Sequence, residues 1–221
     1  NDWFRVSTQS TTTYSVLNLY MLDDNENRYY DGDGTSGIYI WGAQVEALPY
    51  ATSYIPTAGS TVTRAAETCV GAGDVGTFSS VNAEGVLFVE MAALSDALSE
   101  RVLSISDGTT DNRLGLYYSS TTNQIVMDVY VGGALQDTLT YTVTDETLQS
   151  KILAKIKASD YALWVNGVER DTGTGTAFSA NTLTELNFDD GAGANVFYGK
   201  VKQLAVLPYL TDAECEALTT L

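Results

Sequence analysis

Apolar and polar positions switch with a period of two along many short stretches, and Gly, Asn, Asp and Ser separate one stretch from the next. Such alternation turns one face of a strand toward a core and the other toward solvent. The spacers are the residues that turns require. The pattern predicts strands over Trp3–Ser7, Tyr14–Met21, Gly37–Val45, Gly85–Met91, Arg101–Ser106, Arg113–Tyr118, Ile125–Val131, Gln136–Val143, Ser150–Lys157, Tyr161–Val165, Leu183–Phe188 and Val196–Leu207. Asn166-Gly167, directly after an alternating run, is a strong hairpin signal. One helix is predicted over Thr211–Thr219, with Thr211 or Asp212 as N-cap and acids in its first turn. Many strands and one terminal helix predict an all-β protein: an antiparallel β-sandwich with a short C-terminal helix.

Alternation also assigns faces. Leu114, Leu116 and Tyr118 share one side of their strand, which leaves Arg113, Gly115 and Tyr117 on the other. Ile125, Met127, Val129 and Val131 form an apolar set opposite Val126, Asp128 and Tyr130. Ile152, Ala154 and Ile156 point inward, with Lys151, Lys155 and Lys157 outward. Leu163 and Val165 are predicted to be buried, which turns Trp164 and Asn166 outward. An outward sheet face that mixes aromatics with charged groups suits sugars. A ring covers the apolar side of a pyranose while polar groups address its hydroxyls. The candidate glycan-binding residues are therefore Trp164, Tyr117, Tyr130, Arg113, Asp128 and Asn166, with Trp164 foremost, because an exposed indole costs apolar area unless something covers it. The competing expectation is a solvated face whose rings cover their own neighbours.

Charge narrows the partners. The 221 residues hold 11 basic and 28 acidic side chains, a net charge of −17, and no histidine. Nucleic-acid binding needs the opposite sign, and an anionic membrane would repel this chain. No apolar run is long enough to span a bilayer as a helix. The lack of histidine removes the commonest general base and zinc ligand. Two acidic regions could serve calcium, which takes several oxygen ligands on a bent backbone: Asp31 and Asp33 in Asp31-Gly-Asp-Gly34, and Asp189 and Asp190 before Gly191. Turn chemistry explains the same residues equally well. Gly71-Ala-Gly-Asp-Val-Gly76 lacks the lysine and helix of a phosphate loop and reads as a plain loop. The opening residues Asn1-Asp-Trp-Phe-Arg-Val6 already read as a strand, so an earlier part of a longer protein is expected.

The order Tyr161-Ala-Leu-Trp-Val-Asn-Gly167, polar loops, Val196-Phe-Tyr-Gly-Lys-Val-Lys-Gln-Leu-Ala-Val-Leu-Pro208, then Thr211-Asp-Ala-Glu-Cys-Glu-Ala-Leu218 resembles the end of a concanavalin A-like (laminin-G-like) lectin/glucanase domain, over about Val70 to Leu221. The resemblance implies a jelly-roll sandwich. Hydrolases of that family carry Glu-x-Asp-x-x-Glu on one strand. No such string occurs here, and the lyase branch uses histidine, so no enzymatic activity is expected. Upstream, Gly34-Thr-Ser-Gly-Ile-Tyr-Ile-Trp-Gly-Ala-Gln-Val-Glu46, Ala51-Thr-Ser-Tyr-Ile-Pro-Thr57 and Val62-Thr-Arg-Ala-Ala66 resemble a segment of phage tail-fibre and virion-surface proteins. There it ends a carbohydrate-binding-module-like sandwich.

Together these resemblances imply the end of one sandwich module over 1–57, a linker over 58–67 and a concanavalin A-like domain over 68–221. They further imply a virion-surface location, non-catalytic binding of host polysaccharide, contact with other virion proteins, and assembly as a homotrimer. Alternatives left open are a purely structural virion domain and a polysaccharide depolymerase. Cys69 and Cys215 flank the second domain. First and last segments of such sandwiches often lie side by side, which makes a disulfide feasible; synthesis in a reducing cytoplasm argues for free thiols.

Overall fold

The computed structural model describes residues 3–8, 18–20, 22, 23, 25–29, 31, 33–35, 37–47, 50–63, 68–96 and 98–221. The chain divides into two compact units, Asn1–Arg64 and Ala65–Leu221.

In the first unit no strand or helix forms among the described residues. The strands expected at Trp3–Ser7 and Gly37–Val45 are absent, and of Tyr14–Met21 only 18–20 are described, also without a ladder. An alternating segment becomes a strand only when neighbours complete its hydrogen bonds, and so few segments cannot build a sheet. Their apolar side chains consequently stay exposed, among them Trp3, Phe4, Tyr39 and Val45. Local contacts hold what order there is. Trp41 and Tyr54 rings meet at 4.6 Å. Ile55 N–H donates to Gln44 Oε1 at 2.8 Å and Thr52 N–H to Glu46 Oε2 at 2.9 Å.

The second unit is the predicted sandwich. Its elements are α1 (Ser79–Ala83), β1 (Glu84–Ala93), β2 (Arg101–Ser106), β3 (Arg113–Tyr118), β4 (Gln124–Val131), β5 (Ala134–Thr142), β6 (Ser150–Lys157), β7 (Tyr161–Val165), β8 (Val168–Gly173), β9 (Glu185–Asn187), β10 (Gly199–Pro208) and α2 (Asp212–Thr219). Two five-stranded sheets form, in the orders β10-β1-β6-β7-β8 and β5-β4-β3-β2-β9. Their ladders are antiparallel throughout. Strand β8, Val-Glu-Arg-Asp-Thr-Gly, escapes the alternation rule because it is a polar edge strand. It exists because Asn166 adopts φ 51° and Gly167 φ 78°, the left-handed pair a tight hairpin needs. Asn166 Oδ1 also accepts Lys151 N–H at 2.9 Å.

The inner faces interdigitate as alternation requires. Leu87, Val89, Ile152, Ala154, Leu163 and Val165 meet Leu103, Ile105, Leu114, Leu116, Ile125 and Met127 in one cluster. Each such side chain stabilises the fold by about 1.5–3 kcal/mol through apolar burial. At one end the core encloses an ion pair, Arg101 Nη2 to Glu146 Oε1 at 2.7 Å, with the Tyr118 ring 5.2 Å from the guanidinium.

Edge strands β5 and β8 close on each other through side chains. Thr140 N–H donates to Asp171 Oδ2 at 2.8 Å and Thr174 N–H to Asp137 Oδ2 at 3.0 Å. Amides that would otherwise template aggregation are thereby occupied.

The outer face of the first sheet carries a second apolar cluster. Ala205, Phe88, Leu153 and Trp164 form one row across β10, β1, β6 and β7. Helix α2 covers them with Cys215 and Leu218. Thr211 and Glu214 form a capping box that starts α2 where the sequence placed it. Lys155 is almost fully buried on this face. Its Nζ reaches Asp212 Oδ1 at 2.7 Å and the Tyr209 ring at 4.8 Å. Burial opposes its charge, yet the Asp212 hydrogen bond and its other partners hold its pKa above the ordinary lysine value.

Candidate functional site

The six predicted glycan-binding residues fall on two different sheets. Arg113 and Tyr117 lie on β3, Asp128 and Tyr130 on β4, in the second sheet; Trp164 and Asn166 belong to the other. They cannot make one site. Trp164 is outward with respect to the main core, as alternation requires, but it is only 6% exposed because α2 lies over it. Its predicted role as a sugar platform is therefore corrected: the indole holds the C-terminal helix. Its Nε1 is buried without a hydrogen-bond partner. Asn166 is likewise corrected to a turn residue, its amide oxygen already taken by Lys151.

The other four do converge. Arg113 pairs with Tyr130, Gly115 with Asp128 and Tyr117 with Val126 across the β3–β4 ladder, all on the outer face. Arg113 Nη2 meets Asp128 Oδ2 at 2.7 Å. Its guanidinium lies 4.9 Å from the centroid of the Tyr130 ring, within the range of cation–π attraction. Nη1 donates to the backbone oxygen of Asp190 at 3.3 Å. The result is an ion pair with a half-buried tyrosine on each side, Tyr130 and Tyr117.

Gly115 permits this arrangement. A Cβ at that position would overlap Asp128 Oδ1 and press on Arg113 Nε. Glycine inside a strand marks a close approach, and here the approach is the carboxylate lying down on the sheet. Asp128 Oδ1 and Arg113 Nε are buried without hydrogen-bond partners. Burial raises the Asp128 pKa; the Arg113 guanidinium is the main opposing influence, with a smaller one from Tyr117. The Tyr117 hydroxyl acts on Asp128 through proximity and stands outside hydrogen-bond geometry with Oδ1. The Tyr117 phenol is itself pushed up, first by burial and then by the Asp128 charge.

A loop walls one side. Ser104 Oγ donates to Asp189 O at 2.8 Å, and Val102 N–H to Asn195 O at 2.9 Å, so residues 189–195 lie along β2. Asn195 Nδ2 in turn donates to Glu100 Oε2 at 3.1 Å. Pattern reasoning left Asp189 and Asp190 as either calcium ligands or turn residues and missed the wall. Their carboxylates bind the loop itself: Asp189 Oδ1 accepts Gly191 N–H at 2.7 Å, and Asp190 Oδ1 accepts the amides of Ala192 and Ala194, each at 3.0 Å. That is turn chemistry, and it does not fit a calcium cage. Asp33 Oδ1 accepts Thr35 N–H at 2.8 Å, and Asp31 is exposed. Among the described residues no three acidic, cysteine or histidine side chains gather as a metal site would require.

The disulfide is also corrected. Both cysteines are free. Cys215 sits on the buried side of α2, against the outer face of the first sheet, whereas the Cys69 carbonyl accepts Phe188 N–H beyond β9, at the edge of the second. They belong to different sheets.

No protein-family model and no curated protein matches the chain. Solved structures do. The CBM40 module of the Ruminococcus gnavus IT-sialidase bound to α2,3-sialyllactose superposes with a TM-score of 0.52 at 20% identity, over 63% of this chain and 84% of that one. The same module bound to α2,6-sialyllactose gives 0.51 at 19% identity, over 70% and 97%. A heptameric SAP-like pentraxin from Limulus polyphemus gives 0.53 at 10% identity, over 68% and 74%. Identities this low speak for the fold alone. With two antiparallel five-stranded sheets and one short C-terminal helix, the unit Ala65–Leu221 has the jelly-roll sandwich of lectin-like domains.

Proposed function

We propose that Ala65–Leu221 is a non-catalytic glycan-binding domain and that the chain is part of a phage tail fibre, tailspike or capsid-surface appendage that engages host polysaccharide. The observation that carries the binding reading is the fixed Arg113–Asp128 pair between the half-buried rings of Tyr130 and Tyr117. A pyranose laid on this face meets aromatic surface beside polar groups. The sandwich likeness to a sialyllactose-bound module supports the same reading. The viral setting rests on the sequence resemblance of Gly34–Ala66.

Each site would bind weakly. Copies joined in a homotrimer on a virion would raise the avidity without new contacts. A depolymerase would need two carboxylates flanking the scissile bond, and the carboxylate on this floor, Asp128, is held by Arg113. The apolar side chains exposed in the first unit, Trp3, Phe4 and Tyr39 among them, favour a second role in assembly with further copies or other virion proteins.

The test is titration of the whole chain with host surface polysaccharide, followed by the tyrosine ring resonances. Perturbation of Tyr117 and Tyr130 signals, lost in Tyr130→Ala, is expected. Binding that persists in that variant would place the site elsewhere, and steady release of reducing ends would make the protein an enzyme.

A further inference from the structure

The guanidinium on the floor is already engaged by the protein. Recognition of a sugar carboxylate by arginine relies on two parallel donors aimed at the anion. In Arg113, Nη2 is taken by Asp128, Nη1 by the carbonyl of Asp190, and Nε is buried against Gly115. Its ring-facing side is turned to Tyr130. Two of its five N–H donors are thus spent and a third is buried, and its positive charge is matched within 2.7 Å by Asp128.

The surroundings add negative charge. Glu100 is tied to Asn195 of the wall and acts on both Tyr117 and Asp128. The charged side chains bearing on Tyr117 are accordingly two carboxylates, Asp128 and Glu100, and one guanidinium. Asp189 and Asp190 stand in the same wall. Across the whole chain the balance is −17.

Building on the glycan-binding reading, we infer that the Tyr117–Tyr130 face selects neutral glycans and rejects those bearing carboxylates, such as sialylated or uronate-containing chains. Selection arises from repulsion, with the Arg113 charge neutralised by Asp128 and Glu100 on the rim. Neutral hydroxyls carry no such penalty. This sets the face apart from the sialyllactose-bound module that shares its fold.

The experiment is an array of neutral oligosaccharides beside their sialylated and uronylated counterparts, probed with the whole chain at low and high salt. Neutral members are expected to bind at least about tenfold more strongly at low ionic strength, and the gap is expected to narrow as salt screens the rim. Glu100→Gln should raise the ratio of anionic to neutral binding about threefold. Anionic glycans that bind as well as neutral ones overturn the inference while leaving the glycan-binding reading intact. A preference that ignores both salt and Glu100→Gln also overturns it, since shape alone would then be selecting. Binding to neither class defeats the glycan-binding reading, and the inference with it.

Discussion

Gly115 and Asp128 face each other on the β3–β4 ladder, and the carboxylate occupies the space that a side chain at 115 would need. The two positions are 13 apart in sequence (128 − 115) and are joined only by the hairpin. Replacing Gly115 with alanine pushes Asp128 off the sheet and away from Arg113. The expected cost is about 2 kcal/mol of stability, from overpacking and a weakened buried pair. Glycan binding should fall with it, because Tyr130 loses the guanidinium that positions its ring. Urea denaturation and saccharide titration of Gly115→Ala check both. A variant as stable and as competent as the parent would show that the pair does not organise the face.

Trp164 and Tyr130 should behave in opposite ways. Trp164→Ala removes the indole beneath α2, for an expected loss of about 3–5 kcal/mol, and frees the helix. Tyr130→Ala removes a half-buried ring and one cation–π contact, for an expected cost of about 1 kcal/mol, but abolishes saccharide binding. Thermal melts and titrations of the two variants, side by side, separate scaffold from site.

The pH dependence of stability should differ in sign between carboxylates. The Asp128 pKa is raised by burial, so its contribution is fully present below the ordinary value of 3.8 and is lost as pH rises through the folded value. Asp107 is lowered: burial works against this, but hydrogen bonds from Thr109 and Asn112 outweigh it. Its contribution is present above 3.8 and is lost as pH falls through the folded value. In Asp128→Asn the first dependence vanishes. The stability of the parent relative to Asp128→Asn should therefore decline as pH rises from below 3.8 through the raised folded value of Asp128, as measured by chemical denaturation. A flat difference would contradict the raised value.

The cysteines offer a direct check on the closing helix. Cys69 is exposed, whereas Cys215 is buried with its thiol pushed up to about 11 by burial. One thiol should label rapidly in the native protein, and the second only after unfolding. Reductant should leave the melting temperature unchanged. A reductant-sensitive melt would require a bond between two thiols that the fold leaves free.

The ladders of the second unit were legible because most core strands are short apolar or alternating runs bounded by turn residues. Arg101–Ser106, Arg113–Tyr118, Ser150–Lys157 and Tyr161–Val165 form with the bounds that alternation predicted. Strand β8 was not, since edge strands carry polar residues on both faces, and the five-residue α1 has too few turns to show a helical period. In the first unit the same alternation misled: Gly37–Val45 reads as a strand, but no neighbour completes it among the described residues. For the site, alternation put Arg113, Tyr117, Asp128 and Tyr130 on one face, and the structure agrees. It put Trp164 outward too, without knowing which outward face a helix would cover.

Sequence alone thus determined the sheets' two faces, the Asn166-Gly167 turn and the capped final helix, because each depends on residues at most a few positions apart. Tertiary structure decided which face a helix covers, that Asp128 neutralises Arg113, and that Cys69 and Cys215 are not paired. Those outcomes depend on strand order and on where α2 and the Asp189–Asn195 loop come to rest. Strand order and docking are settled by burial between segments distant in the chain, and a period of two carries no record of which distant segment a face will meet.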